Sequence, residues 1–279
     1  MKVQLEHIYA QHPASPQDGA FSLQDISLSI QSGEHIALIG PSGSGKTTLL
    51  QVIAAALKPQ SGIVRLDELN PWNLSVGKLQ EFRSRLFYAP QIPPLPPRQR
   101  VITALSASRL PELSLLESLA NLIYPQFARE GFEVLSAFDL EDKLWQRVDR
   151  LSGGERQRVG LAKVLMSHAG LWLVDEPLSA LDPKRSKQAI QTLIAEAHKR
   201  RVTLIVTLHQ VDVATQEFPR VIGLQNGRLA FDQSAQSITP TQLRELYAQN
   251  QHELTHLINE DEVLSQVKPS CSSESGLTS

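Results

Sequence analysis

The chain has a single cysteine, Cys271, set in a serine-rich tail, so no intramolecular disulfide can form and a reducing compartment is expected. Its plainest reading is a surface thiol without a role. An excess of charge of either sign is also missing: 27 Lys plus Arg stand against 29 Asp plus Glu, a formal charge of -2. Without a global basic field, nucleic acid is not an expected partner. No window approaches the roughly twenty apolar residues that a membrane-crossing helix needs. The opening MKVQLEHIYA lacks the charged-then-apolar pattern of a leader, so any membrane role is expected to come through a partner. What is present is an apolar content of 41% in 279 residues, enough for a folded chain with a sizeable core in one large domain or two small ones.

Apolar periodicity sorts the chain into regions. VQLEHIYA and FSLQDISLSI alternate at period two and predict an antiparallel, half-exposed β region, joined by a connector over 13–19 with Pro and Gly. HIALIG (35–40) is a short, wholly apolar run that ends in a glycine-rich turn, and TTLLQVIAAAL beyond it is helical in character. LWLVDE (171–176) and VTLIVTLH (202–209) are further buried-strand candidates, with a helix expected over about 184–199 between them. This alternation predicts a parallel sheet flanked by helices. Between 87 and 150 the chain turns to Pro-rich connectors and Leu/Ala-rich pieces (VITALSASRL, LLESLANLIY, REGFEVLSAFDL), which predict an inserted helical subdomain. RVIGLQNGRLAFD predicts a hairpin turning at Asn226-Gly227, followed by a short helix over 241–248 and a polar tail with almost nothing to bury.

Gly40-Pro41-Ser42-Gly43-Ser44-Gly45-Lys46-Thr47 fits the G-x-x-x-x-G-K-[ST] phosphate loop and stands where the chemistry needs it, after a buried strand and opening a helix. The glycines let successive N–H groups and the helix dipole face an anion. Lys46 would add charge at the β- and γ-phosphates, and Thr47 would offer its hydroxyl to Mg2+, with Thr48 next in the helix. Asp175 and Glu176 close LWLVDE at the carboxyl end of a strand, the ligand edge of an open α/β sheet. There Asp175 suits Mg2+, directly or through water, and Glu176 suits polarising the water that attacks the γ-phosphate.

Leu151-Ser152-Gly153-Gly154-Glu155, followed by Arg156-Gln157-Arg158, resembles the signature of ATP-binding-cassette ATPases. Alone it could be a helix N-terminus capped by Ser152. Its place before the Asp-Glu strand, with Ser179-Ala180-Leu181-Asp182 beyond in the manner of the family's D-loop, carries the resemblance, which spans 3–232. The resemblance implies an α/β fold with a P-loop NTPase-type core: a mainly parallel sheet, an N-terminal antiparallel β region and an inserted α-helical subdomain. The expected layout is an ATPase domain over 1–249, core 1–90 and 160–249 with helical subdomain about 91–159, then a tail over 250–279. By the same resemblance Gln91 is a Q-loop glutamine that senses Mg2+ and attacking water, and His209 is the switch histidine at the γ-phosphate. Ser152, Gly153 and Gly154 would meet ATP bound by a second copy of the chain, Asp182 of the D-loop counts among the implied ATP-binding residues, and a residue at His12 would stack on adenine. Tyr9, three residues earlier, is the other candidate; imidazole offers less stacking area than phenol.

WQRVDR before the signature lacks the Glu-Arg-Gly-type element of many exporters, which favours an importer. RVITALSASRL, LHQVD (208–212) and ITPTQLRELYA (238–248) resemble phosphonate importer ATPases, although helices and a loop common to many cassettes would read alike. The implied function is ATP hydrolysis that energises uptake of a small solute, a phosphonate or related phosphorus oxyanion. Another transporter type, or a non-transport cassette, stays open. Implied partners are transmembrane permease subunits, docking over 91–109 where Ile92-Pro93-Pro94-Leu95-Pro96-Pro97 departs from the family pattern, and indirectly a periplasmic or extracellular solute-binding protein. The expected place is the cytoplasmic face of the membrane, held there by the permease.

Overall fold

A computed structural model describes residues 1–12, 21–123 and 126–248. The connector over 13–19, the tail and Cys271 lie outside the described residues.

Two sheets organise the chain. The smaller is antiparallel, in the order β2 (Leu23–Ile30), β1 (Val3–Ala10), β4 (Ser61–Leu66). Its strands do not keep period two throughout. In β1 the buried residues are Val3 and Leu5, then Ile8 and Ala10, because the register slips at a bulge where His7 takes φ 50°. Asp25 of β2 has φ 56° beside it, and His7 Nδ1 lies 2.7 Å from Asp25 Oδ1. One inserted residue restores the apolar face that strict alternation would have turned outward.

The larger sheet runs β5 (Leu86–Ala89), β6 (Leu171–Val174), β7 (Thr203–Thr207), β3 (His35–Ile39), β8 (Arg220–Gln225), β9 (Arg228–Ser234). Its strands are parallel except for the β8–β9 hairpin. That hairpin turns at Asn226 (φ 50°) and Gly227 (φ 74°), with Gln225 opposite Arg228, the two-residue turn that needs positive φ at both central residues. The central strands are apolar through their middles, with polar residues only at their ends, because both faces are covered. Ile36, Leu38, Leu171, Leu173 and Ile205 join the apolar cluster of the small sheet and α1 (Lys46–Ile53). Ala37, Ile39, Trp172, Val174, Leu204 and Val206 face the other way, into a second cluster.

This second cluster continues into the helical region through α3 (Val101–Ser106) and α5 (Ala128–Ser136), with α6 (Gly153–Met166) and α7 (Pro183–Arg200) beside the sheet. The expected border at 159/160 therefore falls inside α6, a single helix that starts among the inserted helices and ends under the sheet. VITALSASRL is helical only to Ser106 and then tightens into a 3-10 turn containing Pro111. α4 (Leu115–Ile123), α8 (Val211–Glu217) and α9 (Pro240–Leu246) complete the helices introduced so far.

The pattern did not predict β4, α2 (Val76–Ser84) or α8. In β4 only Val64 and Leu66 are buried, and in α2 only Phe82 is, so neither carries a readable apolar face. Among the described residues no helix is long and apolar enough to cross a membrane.

Candidate functional site

β3 ends at Ile39 and delivers the chain into a loop pressed against the hairpin. A Cβ on Gly40 would lie 2.0 Å from the Leu224 carbonyl oxygen, and one on Gly45 2.4 Å from that of Ser22, so backbone packing alone requires glycine at both. Ser44 N–H donates to the Pro41 carbonyl, and the Ser44 carbonyl accepts from Gly227 N–H, tying the loop to the hairpin turn. Gly45, at φ 105°, opens α1 with no side-chain cap, which leaves the first-turn N–H groups to whatever the loop encloses. Lys46 Nζ donates to the carbonyls of Gly40 (2.7 Å) and Pro41 (3.2 Å), folding its charge over the loop.

The loop forms one wall of a cleft of about 550 Å³, lined by its residues 42–48 and by His12, Ser22, Gln91, Glu176 and His209. Five expected site elements, the phosphate loop, His12, Gln91, Glu176 and His209, thus meet in one place although they lie in distant parts of the chain. His12 N–H donates to Ser22 Oγ at 3.1 Å, which fixes His12 at the rim. Tyr9 packs edge-on to Phe21, ring centroids 5.6 Å apart, and is not among the cleft-lining residues.

Across the cleft, Glu176 is the point of convergence. Gln91 Nε2 donates to its Oε2 at 2.6 Å, and His209 Nε2 lies 2.6 Å from its Oε1. The bond to His209 is the main cause that holds the Glu176 carboxyl below its ordinary range against burial, with the nearby His209 and Lys46 charges assisting. Glu176 adopts φ 46°, a left-handed conformation that a non-glycine residue keeps only where its surroundings enforce it.

Asp175 sits deeper, 2% exposed and outside the cleft lining. Its Oδ1 accepts from Thr207 Oγ1 at 2.7 Å and its Oδ2 from Tyr88 OH at 3.3 Å. Burial and the Asp175 charge push the Tyr88 hydroxyl well above its ordinary range, which keeps it a donor. Neither Thr207 nor Tyr88 was foreseen. The available signal was a polar residue in each of two apolar strands, since a buried hydroxyl needs a partner.

The donor set suits Mg2+. No group of three His, Cys, Asp or Glu among the described residues could hold a metal by itself, so the ion would depend on phosphate oxygens, as Mg2+ commonly does. Thr47 lines the cleft, and Asp175 is buried next in sequence to the cleft-lining Glu176. Ser44 Oγ is buried with no partner inside the loop, an orphaned group that a phosphate oxygen would satisfy.

Ser152, Gly153, Gly154 and Asp182 do not line this cleft. Ser152 caps α6 in a reciprocal pair with Glu155: Glu155 N–H donates to Ser152 Oγ (3.2 Å) and Ser152 N–H to Glu155 Oε2 (2.7 Å). A Cβ on Gly154 would lie 3.1 Å from the Ala180 carbonyl oxygen, so the signature rests on the segment over 179–182, whose Asp182 caps α7 through Arg185 N–H. Beside Gly153 there is nothing within 4 Å of a built Cβ, a bare and open backbone.

The family profile described as ABC transporter matches residues 23–179. The chain belongs to the ABC transporter family. This cassette is 55% identical over 255 residues, 91% of its length and 92% of the relative's, to the phosphonates import ATP-binding protein PhnC of Polaromonas sp. strain JS666. It is 49% identical over 234 residues, 84% of its length and 88% of the relative's, to phosphonates import ATP-binding protein PhnC 2 of Pseudomonas aeruginosa strain UCBPP-PA14. Among solved structures it is similar to a dimeric bacterial ABC transporter cassette, MJ0796, with TM-score 0.72 and 25% identity over 85% of this chain and 100% of that one. The same protein in a dimeric post-hydrolysis state bound to ADP and phosphate gives TM-score 0.70 and 26% identity, with the same coverage. The fold is that of these cassettes, and the enzyme class is ATPase.

Proposed function

We propose that the chain is the ATP-hydrolysing subunit of an importer for phosphonates or a related phosphorus oxyanion, acting as half of a dimer. The observation that carries the solute class is the whole-length likeness to phosphonates import proteins, 55% identity across 91% of the chain. The convergence of Gln91 and His209 on Glu176, opposite Lys46, supports the hydrolytic role.

In this reading the loop N–H groups and Lys46 bind the phosphates, in exchange for the carbonyls that Lys46 now contacts. Mg2+, when bound, neutralises charge on the phosphate oxygens. Thr47 and, through water, Asp175 would hold it, with Gln91 beside them. Glu176 accepts a hydrogen bond from the attacking water and polarises it, while Gln91 and His209 fix the carboxylate's direction. His12 stacks on the base. Ser152 and Gly153 do not line the cleft of their own chain, and in this reading their donors serve the nucleotide held by a second copy. Of the segment expected to dock, 101–109 is largely buried, with Val101 and Leu105 fully so, and the exposed part is 91–100, where Ile92 is 83% exposed; in this reading that part faces a permease at the cytoplasmic face of the membrane, with a solute-binding protein on the far side.

The test is uptake of a labelled phosphonate by cells that depend on this chain. Replacement by a Lys46→Ala copy is expected to abolish uptake. Normal phosphonate uptake with that copy, alongside loss of uptake of another solute, would overturn the solute assignment and leave the ATPase reading standing.

A further inference from the structure

Thr207 is the last residue of β7, fully buried, and two positions before His209. β6 and β7 pair with Val174 opposite Val206, so one step on, at the strand ends, Asp175 comes abreast of Thr207. Both lie on the face shared with Leu173 and Ile205, the side covered by α1. From there a single oxygen makes two contacts. Thr207 Oγ1 donates to Asp175 Oδ1 at 2.7 Å and accepts from Glu176 N–H at 2.8 Å.

The two contacts do different work. With Tyr88 OH on Oδ2, the bond to Oδ1 holds the Asp175 carboxylate between donors from the strands on either side of β6. The bond to Glu176 N–H anchors a residue at φ 46°, where the backbone of a glutamate gains nothing locally. Moving that N–H would rotate the carboxylate away from Gln91 and His209, each only 2.6 Å from it. A valine would fill the same volume but could neither donate nor accept, and it would leave two buried groups without a partner.

We infer that Thr207 is a positioning residue for ATP hydrolysis, whose one hydroxyl sets both the plane of Asp175 and the backbone turn that presents Glu176. The inference rests on the roles given to those two acids above. A residue that merely filled a buried site would alter stability and leave the separation of binding from turnover untouched. Thr207 acts on acids that matter after nucleotide is bound, so its loss must appear in kcat and in the Mg2+ requirement ahead of KM for ATP.

The experiment compares full-length Thr207→Val, Thr207→Ser and Glu176→Gln with the unaltered chain by steady-state ATPase assay, over ATP and over Mg2+. The valine variant is expected to lose about tenfold or more in kcat, with KM for ATP within about twofold and a raised Mg2+ requirement, and serine to stay within about threefold of the unaltered kcat. Should the valine variant not fold, Thr207→Cys, a similar volume with a weak donor, replaces it with the same expected loss. Unchanged kcat in the valine or cysteine variant overturns the inference. So does a serine variant as impaired as valine, since the hydroxyl would then be irrelevant. Glu176→Gln separates the two levels: unaltered turnover there removes the assigned role of Glu176 itself, whereas its loss together with a fully active valine variant removes only the role of Thr207.

Discussion

Glu176 combines three constraints in one residue: a left-handed backbone, an N–H anchored on Thr207, and a carboxylate shared by Gln91 and His209. Its carboxyl is held below the ordinary 4.5, first by the bond from His209. A depressed carboxyl stabilises the fold above its unfolded-state value, and that contribution is lost as pH falls through the folded-state value. Glu176→Gln cannot make this contribution. Thermal unfolding of the two proteins is therefore expected to show a gap in Tm that narrows as pH falls below about pH 5. A gap that does not narrow there would contradict the direction of the shift. Lys46, Asp175 and Glu176 were legible in the sequence because each belongs to a short local pattern, whereas His209 and Gln91 were legible only through their spacing in the family resemblance. Thr207 and Tyr88 were not, since their meaning comes from Asp175, which lies 32 and 87 residues away along the chain. The preference for His12 over Tyr9 came from motif register, and the contact of Tyr9 with Phe21 gives that preference a physical ground.

At the scale of elements, the Pro-rich run that departs from the family pattern has a defined seat. A Cβ built on Gly160, midway along α6, would lie 2.5 Å from Pro93 Cγ, so this proline fills the place of the missing side chain. Two residues upstream is Gln91. Gly160→Ala removes a helix-weakening glycine, worth up to about 1 kcal/mol in favour of the helix, but forces the proline ring or the helix to shift, an overpacking cost of about 1–3 kcal/mol. Net destabilisation and a fall in ATP turnover are expected, measured by thermal unfolding and steady-state assay; a variant both more stable and fully active would show that Pro93 is not seated there. No sequence pattern could have revealed this contact, since it pairs a loop with a helix 67 residues later. The central strands and α7 were legible because burial on both faces, or a long periodic face with Asp182 as its cap, leaves a strong local record. β4, α2 and α8 left little, and the bulge in β1 hid its face from a strict period of two.

For the whole molecule, one apolar cluster joins the inserted helices to the large sheet, and α6 carries the signature at one end while its other end packs beneath that sheet. A displacement of the signature must therefore be felt in the cluster that also holds Val174 and Val206, the residues immediately before Asp175 and Thr207. The cleft of a single chain has the phosphate loop, the acid and the histidine, while the bare backbone of Gly153 lies outside it. The central claim is that a second copy brings that backbone to the nucleotide. The most direct measurement is the solution mass of full-length Glu176→Gln by light scattering, with and without saturating Mg-ATP. A nucleotide-dependent doubling of mass with turnover nearly abolished is the expected result, and a protein that remains a single chain under those conditions, even when its permease is added, would contradict the account.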